Sequence, residues 1–68
     1  MRVLVNGEPT ELETGATVQS ALAALELPGG ERGVAVAVDA EVVPRGEWTS
    51  FALADGAHVE VLTAVQGG

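Results

Sequence analysis

The chain opens on an alternation. Met1, Val3 and Val5 are apolar, Arg2 and Leu4 stand between them, and Asn6-Gly7 closes the run. A period of two sends successive side chains to opposite faces, so this stretch predicts a strand with Met1, Val3 and Val5 on one side. Asn-Gly is the preferred pair for a two-residue hairpin turn, and "EPTEL" then returns as a second strand. Pro9 has no amide hydrogen to give a ladder, which predicts an edge position for that strand. The period then lengthens. In "TVQSALAALEL" the residues Val18, Ala21, Leu22 and Leu25 fall at i, i+3, i+4 and i+7, with Gln19, Ser20, Ala23 and Glu26 on the other side. That spacing predicts one helix with its apolar stripe in the core. Thr17 is placed to cap its N-terminus, and "PGG" after Leu27 to stop it.

Alternation resumes with Val34, Val36 and Val38 separated by Ala35 and Ala37, a turn at Asp39-Ala40, and a return through Val42 and Val43. "RGEWTSFALADGA" reads as a longer connection with a short helical turn at Trp48 and a tight turn at Asp55-Gly56. "HVEVLTAV" is the last strand, Val59 and Val61 on one face and His58, Glu60 and Leu62 on the other. The order is two strands, a helix, then three strands. A helix between two hairpins crosses one face of the sheet, and such crossovers are right-handed. One helix covers one face only; the other stays wet, in keeping with alternating strands. The fold class expected is α+β: a β-grasp, or ubiquitin-like, mixed sheet with one helix packed on one face and the first and last strands side by side and parallel at the centre. The domain is expected to run over 1–63, with 64–68 a flexible C-terminal Gly-Gly tail.

If the valines face the helix, Leu4, Ala35, Ala37 and Leu62 face water. Apolar residues clustered on one exposed sheet face mark a docking site, so these four are the expected partner surface.

Composition narrows the chemistry. With 68 residues and 47% hydrophobic content, one small domain with a core rich in Ala and Val is expected. There is no Cys for a disulfide or a thiolate site. Metal ligation would rest on carboxylates and one His, and no loop has that spacing. Ten acidic residues against three arginines give a formal charge of −7. This balance argues against binding a phosphate backbone and suits a partner with a positive docking surface. Lys is absent, so no side-chain amine can accept an isopeptide bond. No apolar run reaches the length of a signal peptide or a membrane span, and a cytoplasmic location is expected.

Enzymatic readings find little support. His58 reads as an exposed strand residue with no Ser-His-Asp set around it. "GGERG" from Gly29 to Gly33 lacks the lysine and spacing of a phosphate loop. Glu11 and Glu13 read as a solvated edge. What stands out is the closing Gly67-Gly68: without Cβ atoms, two glycines make the slimmest and most flexible terminus a chain can offer. The terminal carboxylate of Gly68 is the expected working group.

"VAVDAEVVPRGEW", "LADGAHVEVL", the closing "GG" and "VNGEP" near the start together resemble the thiamine-biosynthesis sulfur carrier family, ThiS, over essentially the whole chain. The Gly-Gly end is shared with all ubiquitin-like carriers; "VVPR" followed by Trp48 is more specific to this family. Two departures are Asp39, where the family often has Asn, and Gly56-Ala57, where it often has Gly-Asp; both are expected in turns. The resemblance implies a protein co-substrate and not an enzyme. A ThiF-like activating enzyme, using ATP and magnesium, would adenylate the carboxylate of Gly68. A sulfur donor would convert the acyl-adenylate to a thiocarboxylate, whose sulfur passes to thiazole synthase, ThiG. No cofactor is expected on the carrier itself. Gln66 and Gly67 would thread the activating enzyme's channel, the five residues from Ala64 to Gly68 reaching roughly 16 Å when extended. Rival readings are a MoaD-like or cysteine-biosynthetic sulfur carrier, which usually run longer and lack the "VPR" and Trp stretch, and a protein-modifying ubiquitin-like tag. A noncovalent interaction module with an inert tail is a further alternative, against which the Gly-Gly end speaks.

Overall fold

A computed structural model describes residues 1–25 and 33–63. The expected order of elements is found. Strand β1 (Arg2–Val5) pairs antiparallel with β2 (Glu8–Glu11), helix α1 spans Val18–Leu25, and β3 (Val34–Val38) pairs antiparallel with β4 (Glu41–Val43). A single 3-10 turn at Arg45–Glu47 leads to Trp48, and β5 (His58–Thr63) closes the sheet. The strand order is β2-β1-β5-β3-β4, with β1 and β5 parallel beside each other. The expected β-grasp arrangement is therefore the observed one.

Each hairpin has a local cause. Asn6 and Gly7 both have positive φ, 50° and 84°, the geometry whose twist matches that of the flanking strands. Asp39 and Ala40 repeat it at 50° and 70° without a glycine. Pro9 lies opposite Leu4, between the hydrogen-bonded pairs of the hairpin, so its nitrogen points away from β1 and costs the ladder nothing. The helix begins where Thr17 and Ser20 cap each other. The Ser20 amide donates to Thr17 Oγ1 at 3.3 Å, and the Thr17 amide donates to Ser20 Oγ at 3.2 Å. This is a reciprocal capping box with Ser in place of the usual Glu.

The face assignment holds. Val3, Val5, Val34, Val36, Val59 and Val61 are buried together with Val18, Ala21 and Leu22 of α1. Trp48 is also in this core, 2% exposed, and its indole Nε1 donates to the Val43 carbonyl at 2.9 Å. The short turn after β4 thus folds back to plug the sheet's end. Arg45 lies over the same ring, 4.6 Å from its centre.

One expectation needs qualification. Ala57 closes the turn, its amide donating to the Ala54 carbonyl at 3.0 Å, but it is also buried, 4% exposed, and its carbonyl accepts from the Leu4 amide at 2.9 Å. An Asp there would bring a carboxylate into the core, so Ala57 fits its surroundings where Asp39 fits its turn. Expectations for Glu26 and Leu27, for the Gly29–Gly33 stretch up to Arg32, and for 64–68 lie outside the described residues.

Candidate functional site

The open face of the sheet is built from the alternate positions that the core does not use. Its rows follow from the register. Leu4 of β1 lies beside His58 of β5. Glu60 of β5 pairs with Ala37 of β3, which pairs in turn with Val42 of β4. Leu62 of β5 pairs with Ala35 of β3. Leu62 is 66% exposed and Val42 74%, the two exposed large apolar side chains among the described residues.

All four residues expected on this face are on it, with different environments. Ala35 and Leu62 are exposed, whereas Leu4 and Ala37 are half-buried. They do not make one continuous patch. His58 and Glu60 stand between Leu4 and the stripe formed by Leu62, Ala35, Ala37 and Val42. Val42 was missed as a member, although period-two arithmetic contains it: a two-residue turn at Asp39-Ala40 pairs 38 with 41 and therefore 37 with 42.

Asn6 and Asp39 hold the central strand in place, and Asp55 holds the turn that leads into it. Asn6 reaches past the end of the β1–β5 ladder and treats Val61 as a strand partner. Its Nδ2 donates to the Val61 carbonyl at 3.1 Å, and its Oδ1 accepts from the Val61 amide at 2.9 Å. On the other side, Asp39 accepts from the His58 amide at 3.0 Å while its own amide donates to the His58 carbonyl at 2.8 Å. Asp55 accepts from the Arg2 amide at 2.8 Å. The Asn6 and Asp39 contacts fix β5, the strand that runs toward the tail, and the Asp55 contact ties the turn before it to β1. A shallow depression of about 710 Å³ lies over β5 between the two hairpin turns, lined by Leu4, Asn6, Asp39, His58 and Glu60 among others.

His58 is exposed, as expected. Among the described residues no group of three or more His, Cys, Asp or Glu could hold a metal ion. Among them too, no helix is long and apolar enough to cross a membrane. Gln66, Gly67 and Gly68 lie outside the described residues.

The family model for ThiS matches residues 3–68, which includes the closing glycine pair. The chain is similar over its full length to the sulfur carrier protein ThiS of Escherichia coli, 28% identical across 68 residues and the whole of that relative. It is also 32% identical over 68 residues to a thiazole synthase of Paramagnetospirillum magneticum, all of this chain matching 20% of that longer protein. The chain thus spans about a fifth of the length of that relative. Among solved structures, the crystal structure of the thiamine biosynthesis protein ThiS from Geobacter metallireducens matches with a TM-score of 0.82 and 31% identity, covering 100% of both chains. The solution structure of a thiamine biosynthesis protein from the same organism gives 0.77 and 31%, covering 100% of this chain and 88% of that one.

Proposed function

The chain belongs to the ThiS family, and from that premise we propose that it is a sulfur carrier of thiamine biosynthesis that works through the carboxylate of Gly68. The observation that carries this reading is the family match running through residue 68, glycine pair included, on a fold whose central strand leads directly toward that tail.

The chemistry follows from what a carboxylate lacks. Displacing an oxygen from it would release an oxide, so it is a poor acyl donor. An activating enzyme of the ThiF kind, with ATP and magnesium, joins the Gly68 carboxylate to AMP and releases pyrophosphate. The acyl-adenylate then has a good leaving group, and cations of the partner's site stabilise the charge that develops at the carbonyl. A donor delivers sulfur at the sulfide level, AMP departs, and the chain ends in a thiocarboxylate. Gln66 and Gly67 pass through the channel behind the reacting group, where a side chain at 67 or 68 would crowd the approach. Docking by the sheet face makes the reaction effectively intramolecular. The carrier is consumed and regenerated and catalyses no step.

Thiazole synthase is the proposed recipient of the sulfur. The similarity of this whole chain to a segment of a thiazole synthase supports that pairing.

Incubation with activating enzyme, ATP, magnesium and a sulfur source is expected to replace one oxygen of the chain by sulfur. Intact-mass spectrometry reads the change, and fragmentation maps it to Gly68. A variant extended by one residue beyond Gly68 is expected to stay unmodified with its thermal unfolding unchanged. Sulfur acquisition by the extended variant would sink the proposal.

A further inference from the structure

By register the stripe sets two small side chains between larger ones, a trough in outline. Its floor is the two alanines of β3, Ala35 and Ala37. One wall is Val42 on β4, and the other is Leu62 and Glu60 on β5. Strands two apart in a sheet are roughly 9.6 Å from each other, twice the inter-strand spacing. That width accommodates one side chain seated on the alanines. Leu62 and Val42, at 66% and 74% exposure, stand high enough to flank it.

Glu60 is the anomaly. It is exposed on the central strand, with Ala37 on one side and Leu62 two residues along the same face. Glu is a poor strand former, and a carboxylate amid apolar positions weakens a purely hydrophobic contact. No ion pair or hydrogen bond among the described residues engages it. Arg2 is paired with Glu11 at 3.2 Å, and Arg45 lies over Trp48. Interface centres are depleted in charge because a desolvated, unpaired carboxylate is costly. A carboxylate at this position is therefore tolerable in a docked complex only when the partner brings a cation to it.

We infer that the open face selects a protein surface presenting one large apolar side chain, seated on Ala35 and Ala37 between Val42 and Leu62, beside an arginine that pairs with Glu60. Arginine fits better than lysine because its planar fork can bind the carboxylate bidentately while its weakly hydrated face lies against Leu62. The overall charge of −7 points the same way, toward a basic surface. The inference deepens the proposed function, since the occupant named is the activating enzyme that adenylates Gly68. It assigns Val42 and Glu60 to the partner contact.

The test uses the full chain and the purified activating enzyme of the same thiamine pathway, without ATP, so that binding is read apart from chemistry. Calorimetric titration of wild type, Ala37→Leu, Glu60→Gln and Glu13→Gln is the measurement. Filling the trough in Ala37→Leu is expected to weaken binding by about thirtyfold or more, the scale of losing a seated apolar anchor. Glu60→Gln is expected to weaken it by about tenfold, since one charge pair is lost. Glu13→Gln removes the same charge at an exposed position before α1 and is expected to leave binding unchanged. Thermal unfolding of each variant verifies that the fold is retained. Equal affinities for Glu60→Gln and Glu13→Gln would overturn the role of Glu60, and wild-type affinity in Ala37→Leu would overturn the trough. No binding by wild type overturns the inference entirely. A wild type that binds as expected yet acquires no sulfur at Gly68 leaves the docking inference standing and removes the functional proposal.

Discussion

At the residue scale, the two hairpin turns have the same geometry and different solutions. Asn6 holds φ of 50° and also places its amide on Val61, whereas Ala40 holds φ of 70°. For an L-residue with a Cβ and no local hydrogen bond, the left-handed region costs roughly 1–2 kcal/mol. The same substitution should therefore have opposite signs at the two sites. Ala40→Gly is expected to stabilise the protein by about 0.5–1 kcal/mol, the relief of strain less the extra freedom of glycine in the unfolded chain. Asn6→Gly keeps the turn but removes both bonds to Val61, and is expected to cost about 1–2 kcal/mol. Urea unfolding followed by the fluorescence of the chain's single Trp reads both. A loss of stability in Ala40→Gly would show that its backbone strain is not what limits the turn.

At the element scale, α1 is the weakest unit taken alone. Eight residues are too few for a helix to persist in water. It is kept by burial of Val18, Ala21 and Leu22 and by the reciprocal cap between Thr17 and Ser20. Thr17→Ala opens that cap from one side and is expected to lower stability by about 1 kcal/mol. Amide exchange should quicken most in the first turn of α1 and little in β5. Uniform quickening across the sheet would mean that the cap stabilises the whole fold and not the helix end. The edges are managed differently. β2 is blunted by Pro9, while β4 is only three residues long and is followed at once by Pro44. The β2 edge was legible in the chain, because a proline without an amide hydrogen cannot serve a central strand; the β4 edge came from the sheet order.

At the scale of the whole molecule, charge acts before contact. A net −7 carried on a small domain attracts a basic partner over distances that salt screens beyond about 8 Å at physiological ionic strength. Association with the proposed activating enzyme is expected to slow as salt rises, while dissociation changes far less. Stopped-flow mixing across a salt series separates the two, and an association rate indifferent to salt would remove the steering role.

Local pattern by itself determined the elements, the face each strand turns inward, the position of both I′-type turns and the helix cap, because each depends on neighbours within a few residues. It also carried the family, through short stretches such as "VVPR" and the closing glycines. Only the tertiary structure decided what lies beside what across the sheet. The exposed stripe gained Val42, Leu4 was set apart from it by His58 and Glu60, and Ala57, at the close of its turn, proved to be part of the core. Asn6 and Asp39 became ties on β5, and Asp55 a tie on β1, by bonding residues distant in the chain, up to 55 positions away for Asn6. The physical reason is that strand register and turn geometry set lateral neighbours, and these pairings join residues that sequence periodicity treats one strand at a time.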